Sequence, residues 1–81
     1  MAVVLSDKEA MVLKALRRKG PALAFELAAR TLSFPDELAE PIRALAEMGL
    51  VEIEPVATGR IGGEMVAINA KGIDQLDRQE G

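Results

Sequence analysis

The chain has 81 residues, a net charge of −3 and a hydrophobic fraction of 49%. A chain of this length cannot bury a second core, so we expect residues 1–81 to form one domain. No apolar run approaches the ~20 residues that span a bilayer, and the absence of cysteine excludes disulfides and thiolate metal sites. The net charge is not that of a general nucleic-acid binder, and we expect a cytoplasmic protein.

Two helices are predicted in the N-terminal part of the chain. Ser6 and Glu9 have the spacing of a capping box that opens the first helix. Gly20 followed by Pro21 ends it, because the glycine suits the C′ position and the proline cannot continue the helix. The side chains on its apolar side are Val12, Leu13 and Leu16. A shorter second helix is predicted from about residue 21 or 22 to residue 32.

The third predicted helix runs from Pro35 to Met48, with Ser33 as its N-cap residue. Three apolar side chains recur on one face of a 3.6-residue helix: Leu38, Ile42 and Leu45. Pro41 lies inside the helix, where it removes one hydrogen bond, so we expect a kink there. Gly49 then ends the helix as a C′ residue.

After the third helix the pattern changes to two strands and a closing helix. Residues 50–54 predict a strand that Pro55 ends. Residues 56–63 contain three glycines and predict an exposed loop. Residues 64–68 predict the returning strand, and Asn69 is the expected N-cap residue of a short last helix.

Two motifs span most of this sequence. The first is Glu26-Leu27-Ala28, then Phe34 to Leu38, Leu45 and Gly49-Leu50-Val51-Glu52, and the second is Ile68-Asn69-Ala70-Lys71-Gly72. Their order and spacing resemble the winged helix-turn-helix domains of MarR-like and ArsR-like bacterial transcription regulators. The resemblance implies an α+β fold, mainly α, with three helices, a two-stranded β-hairpin wing and a short C-terminal helix. The helix-turn-helix would occupy about residues 21–48 and the wing about residues 50–68.

In such regulators the second helix of the helix-turn-helix lies in the major groove, and the wing touches the adjacent minor groove. The resemblance therefore places base-reading positions on the third helix of this chain. These positions are Asp36, Glu37, Ala39, Glu40, Arg43 and Ala44, with Glu47 further along the same side. Arg60, at the tip of the wing, would take the minor-groove role.

The exposed side of the third helix has the wrong charge for that role. It carries four acids and one base: Asp36, Glu37, Glu40, Glu47 and Arg43. The rest of the chain is balanced, so the whole net charge lies on this helix. Duplex DNA carries one negative charge per ~1.7 Å of axis and would repel these carboxylates. We predict that this side binds a protein partner with a basic surface, with exposed Phe25 of the second helix as an apolar anchor.

Two alternatives remain open. The charged side could be an ordinary solvated helix surface, stabilised by pairs such as Glu40 with Arg43. Alternatively, the chain binds duplex DNA through backbone contacts from the wing and the first helix. The residues for those contacts would be Arg60, Lys14, Arg17 and Arg18, although cations in the last turn also stabilise the helix itself.

The sequence indicates neither an enzyme nor a cofactor-dependent protein. Histidine, cysteine and tyrosine are all absent, and with them the usual general bases, thiol nucleophiles and soft metal ligands. The last predicted helix is short for a dimerising helix, so we expect a monomer or a weak homodimer.

Overall fold

The computed structural model describes residues 4–58 and 61–80. Its elements are α1 (Asp7–Lys19), β1 (Ala22–Leu23), α2 (Ala24–Arg30), α3 (Pro35–Glu47), β2 (Val51–Thr58), β3 (Ile61–Ile68) and α4 (Ala70–Glu80). This mainly helical α+β arrangement, with a β-hairpin between α3 and α4, confirms the predicted winged-helix fold. In these two ranges, no helix combines the length and the hydropathy that a bilayer crossing requires.

The core is aliphatic and draws on every helix. The largest fully buried side chains are Leu13, Leu16, Leu27, Leu38, Leu45, Leu76, Val12 and Val66. Each leucine buried in this way stabilises the fold by roughly 1.5–3 kcal/mol. The three apolar positions predicted for the third helix all belong to this cluster, so the opposite side of α3 is turned outward.

Helix α2 begins later than the sequence predicts, at Ala24 rather than near residue 21. The two preceding residues form β1, which pairs antiparallel with β3, so the sheet has three strands in the order β1-β3-β2 instead of two. The side chain of Glu26 accepts a hydrogen bond of 3.0 Å from the backbone N–H of Leu23 and so caps the helix. A two-residue strand has no sequence periodicity, and Pro21 by itself suits a helix start.

The wing strands are longer than predicted, and the expectation that Pro55 ends the first strand is wrong. β2 continues through Pro55, which lies opposite Glu64 of β3. β2 is an edge strand of the sheet. An edge strand tolerates proline because one of its two rows of N–H groups has no strand partner. The predicted loop over residues 56–63 therefore contributes mainly to strands.

Helix α3 continues through Pro41, as predicted, and ends one residue earlier than expected. Pro41 is half-buried. It borders, with Ser6 and Glu9, a shallow depression between α3 and the start of α1. The kink at Pro41 stays a prediction.

Asn69 connects the hairpin to the helices on either side of it. Its Oδ1 accepts a hydrogen bond of 2.9 Å from the N–H of Gly72, which confirms it as the cap of α4. Its Nδ2 donates to the carbonyl of Gly49 at 2.8 Å and to the carboxylate of Glu52 at 2.9 Å. One side chain thus joins the end of α3, the start of β2 and the start of α4, and holds the wing in place beside α3.

Candidate binding surfaces

The outward side of α3 carries four of the predicted charged residues. Asp36, Glu40, Arg43 and Glu47 are all exposed and lie opposite the buried leucines of the helix. We call these four residues the acidic face. Among the described residues, the ion pairs of the structure involve none of its three acids. The face therefore presents its carboxylates to solvent, with Arg43 as the accompanying base.

Glu37 has a structural role that the sequence reasoning missed. Its Oε1 accepts a hydrogen bond of 3.1 Å from the backbone N–H of Phe34, at the start of α3. Its Oε2 lies 2.6 Å from Nζ of Lys8 in α1. Glu37 thus caps α3 and attaches it to α1, so we separate it from the acidic face.

Ser33 is not the N-cap residue of α3, which corrects the prediction. The helix begins at Pro35, and Phe34 occupies the N-cap position. The hydroxyl of Ser33 instead donates to the carbonyl of Thr31 at 3.3 Å. The capping-box pattern could not reveal this helix start, because phenylalanine has no side-chain acceptor and only the glutamate half of the box is present.

The pKa of the Glu37 carboxyl is lowered from its ordinary value of 4.5 by the Lys8 hydrogen bond, then by the Phe34 N–H. Because this pKa is lower in the folded chain, the carboxylate stabilises the fold fully above about pH 4.5 and loses that effect at lower pH. We expect Glu37→Gln to lower the free energy of unfolding at neutral pH and to match the native chain in strong acid. Urea unfolding across this pH range measures the difference. Lys8→Gln should lose stability with the same pH dependence, whereas a deficit that persists unchanged in acid would contradict the assignment.

Phe25, the predicted apolar anchor, is 50% exposed in the first turn of α2. Its neighbour Ala24 lines a groove of about 600 Å³ between α3 and the β-hairpin. The apolar residues of this groove are Ala24, Ala39, Ile42, Ala46, Ile53 and Gly63, and its charged residues are Arg43, Glu47 and Glu64. The acidic face is therefore continuous with an apolar groove. The sequence signal for it was the run of small residues on one side of α3.

Of the three predicted nucleic-acid contacts that the structure describes, two line one groove and the third is paired with α4. Nη1 of Arg17 lies 2.8 Å from the carboxylate of Asp77 in α4. Lys14 and Arg18 instead line a second groove, of about 600 Å³, together with Lys19 and the C-terminal end of α2. Arg60, the predicted wing-tip contact, lies outside the described residues. We call the second groove the basic groove, and none of its lining residues belongs to the acidic face.

Solved structures share this fold along nearly the whole chain. BpsR from Bordetella bronchiseptica, whose DNA binding is regulated by 6-hydroxynicotinic acid, superposes with a TM-score of 0.82 over 93% of this chain and 56% of its own, at 19% identity. YusO from Bacillus subtilis gives 0.81 over 90% and 51%, at 16% identity. ZitR from Lactococcus lactis, a zinc-responsive MarR family member, gives 0.80 over 99% and 54%, at 14% identity.

These superpositions confirm the winged-helix fold, which this chain shares with a MarR family member. The chain spans about half the length of each of these three structures. It matches no protein-family model and no curated protein sequence. At identities below one fifth, the likeness concerns the backbone and leaves the chemistry of the surface to be argued from this chain's own residues.

Proposed function

We propose that this chain is a winged-helix module of transcription regulation that works through a protein contact, with its acidic face bound to a basic partner surface. The observation that carries the proposal is the charge of α3. Asp36, Glu40 and Glu47 are exposed on the helix that winged-helix proteins place in the major groove. The likeness to regulators such as BpsR and ZitR supports the regulatory setting.

The magnitudes favour a basic partner over a polyanion. Two like charges ~4 Å apart repel by about 1 kcal/mol in water and about 4 kcal/mol near a protein surface. Three carboxylates against phosphates would therefore cost more than the single attraction of Arg43 returns. Against lysine or arginine side chains the same carboxylates speed association and select the partner, at a strength that falls with added salt.

The groove beside the acidic face supplies apolar contacts, which charge alone does not provide. Binding energy in protein interfaces concentrates where an apolar side chain fills a dry pocket. The groove between α3 and the hairpin has a mainly apolar lining, and exposed Phe25 follows its lining residue Ala24 in the sequence. A basic segment with one apolar anchor side chain would place its charges against the acidic face and its anchor in the groove.

Selection from a random library of peptides of about 16 residues tests the proposal. Enriched peptides should carry lysine or arginine around an apolar residue. Glu47→Lys should weaken their binding at least fivefold, which corresponds to about 1 kcal/mol for an exposed charge pair. Glu54→Lys is the matched control, because Glu54 is also exposed but lies on β2. Peptides that bind both variants as well as the native chain would refute a contact through α3.

A second candidate function is binding of duplex DNA, and one finding favours it: the regulated DNA binding of BpsR, which shares this fold. Here Arg60, Lys14 and Arg18 would contact phosphates, while Arg17 is paired with Asp77. Titration with a random duplex of about 20 base pairs distinguishes the two functions. Micromolar affinity that falls steeply with salt would establish the second candidate and remove the first.

A further inference from the structure

Leu32, in the turn between α2 and α3, combines two unfavourable features. Its side chain is 95% exposed, more than any other large apolar side chain described, and its φ of 55° lies in the left-handed region. Its N–H donates to the carbonyl of Ala29 at 3.3 Å, and the next N–H, of Ser33, donates to that of Ala28 at 2.8 Å. This is the Schellman pattern, whose left-handed position is usually glycine because a side chain there is strained. The folded chain gives this leucine no burial in return.

The groove around Leu32 combines apolar side chains with positively charged ones. It lines the basic groove, whose other apolar lining residues come from α1: Ala10, Met11 and Ala15. Among the described residues, four basic side chains line the same groove, those of Lys14, Arg18, Lys19 and Arg30, together with the acidic side chain of Asp7. Nη1 of Arg30 donates to the carbonyl of Gly20 at 3.4 Å, which orients this side chain toward the end of α1.

We propose that the basic groove is a second docking surface, and that it binds an acidic amphipathic protein segment. Apolar side chains of that segment would cover Leu32 and Met11, while its carboxylates meet Arg18, Lys19 and Arg30. Charge complementarity selects an acidic occupant, and the apolar lining selects a protein. Duplex DNA would complement the charge of the lysine and arginine side chains, but its charged backbone would face Leu32. A second copy of this chain fits less well. Its acidic face would offer charged side chains, but the leucines of that helix are buried and cannot cover Leu32.

Leu32→Gly gives the sharpest test, because its effects on stability and on binding should have opposite signs. Glycine relieves the strain of the left-handed position, so the midpoint of thermal unfolding should rise by about 4–8 °C. Binding of the occupant should weaken at least tenfold. If Leu32 served only the fold, one substitution would not both stabilise the chain and weaken the binding of an acidic segment.

The probe is the peptide library, sorted for acidic sequences with apolar residues at helical spacing. These peptides should bind the native chain and Glu47→Lys equally, and should bind Leu32→Gly and Arg18→Glu at least tenfold more weakly. Lys71→Glu is the matched charge control, since Lys71 is exposed on α4 and outside the groove. The changes in amide chemical shift on peptide binding should be largest at Met11, Ala15 and Leu32.

Three results would overturn this inference. The first is a library that yields no acidic apolar class of peptides. The second is a Leu32→Gly variant that binds acidic peptides or a random duplex as well as the native chain does, which indicates a simple polyanion site. The third is self-association in sedimentation that Arg18→Glu abolishes, which identifies a second copy as the occupant. None of these results affects basic peptides that depend on Glu47, so this inference and the proposed function fail separately.

Discussion

Replacing Glu40 and Glu47 together with lysine should raise the affinity of this chain for random duplex DNA on the order of a hundredfold at 50 mM salt. Both residues are exposed on the outward side of α3, so neither substitution disturbs the core. Each new phosphate contact adds roughly −0.9 to the slope of log K against log salt, and two contacts add about −1.8. The gain should therefore be about tenfold smaller at 200 mM salt.

Fluorescence anisotropy with a labelled duplex of about 20 base pairs, over this range of salt, measures both the gain and the slope. The double substitution Glu54→Lys with Asp74→Lys is the control, because it changes the net charge equally on β2 and α4. Its gain should stay below tenfold, since those residues lie off α3. If the native chain already binds within tenfold of the α3 variant, the carboxylates of the acidic face are no barrier to DNA and the proposed function is wrong.

The acidic face could be predicted from sequence because α3 is regular and its signals are local. Leu38, Ile42 and Leu45 recur at the helical period and fix which side is buried, and the charged residues follow on the other side. Glu37 shows where such reasoning ends. Its partner Lys8 is 29 positions away in the chain, so the ion pair exists only once α1 packs on α3.

The strands were harder to predict than the helices because pairing within the sheet, and not a local period, sets their bounds. β1 is two residues long and is defined only by its pairing with β3. Pro55 reads as a strand end, yet the position of β2 at the sheet edge accommodates it. In both places the arrangement of the strands in the sheet overrode a local preference.

The basic groove also depended on tertiary structure. In sequence, Arg17 and Arg18 belong to one basic cluster, but adjacent helical residues point about 100° apart. The structure places Arg17 against Asp77 and leaves Arg18 on the groove with Arg30 of α2. The sequence therefore indicated the charge of the cluster, and helix packing determined which of its side chains line the groove.

Replacing Gly72 with alanine should destabilise the chain by about 1–3 kcal/mol, because the new methyl group would overpack the contact between α4 and the sheet. A Cβ at Gly72 would clash with the carbonyl oxygen of Leu50 and would lie 2.7 Å from Cγ1 of Ile68. The backbone carbonyl cannot turn aside as a long side chain can. Alanine otherwise favours a helix over glycine by about 1 kcal/mol, so a net loss isolates the clash. The unfolding midpoint should fall by about 4–8 °C for each kcal/mol.

Gly63→Ala is the matched control, because the described atom nearest to a Cβ there is Cδ2 of Leu23, at an ordinary 3.7 Å. That substitution should leave the unfolding midpoint within a few degrees of the native value. Since Asn69 bonds the N–H of Gly72 and also the end of α3, a displaced α4 would loosen the wing beside the acidic face. Gly72→Ala should therefore speed hydrogen exchange in β2 and at the end of α3. A variant as stable as the native chain would mean that α4 does not pack this closely on the sheet.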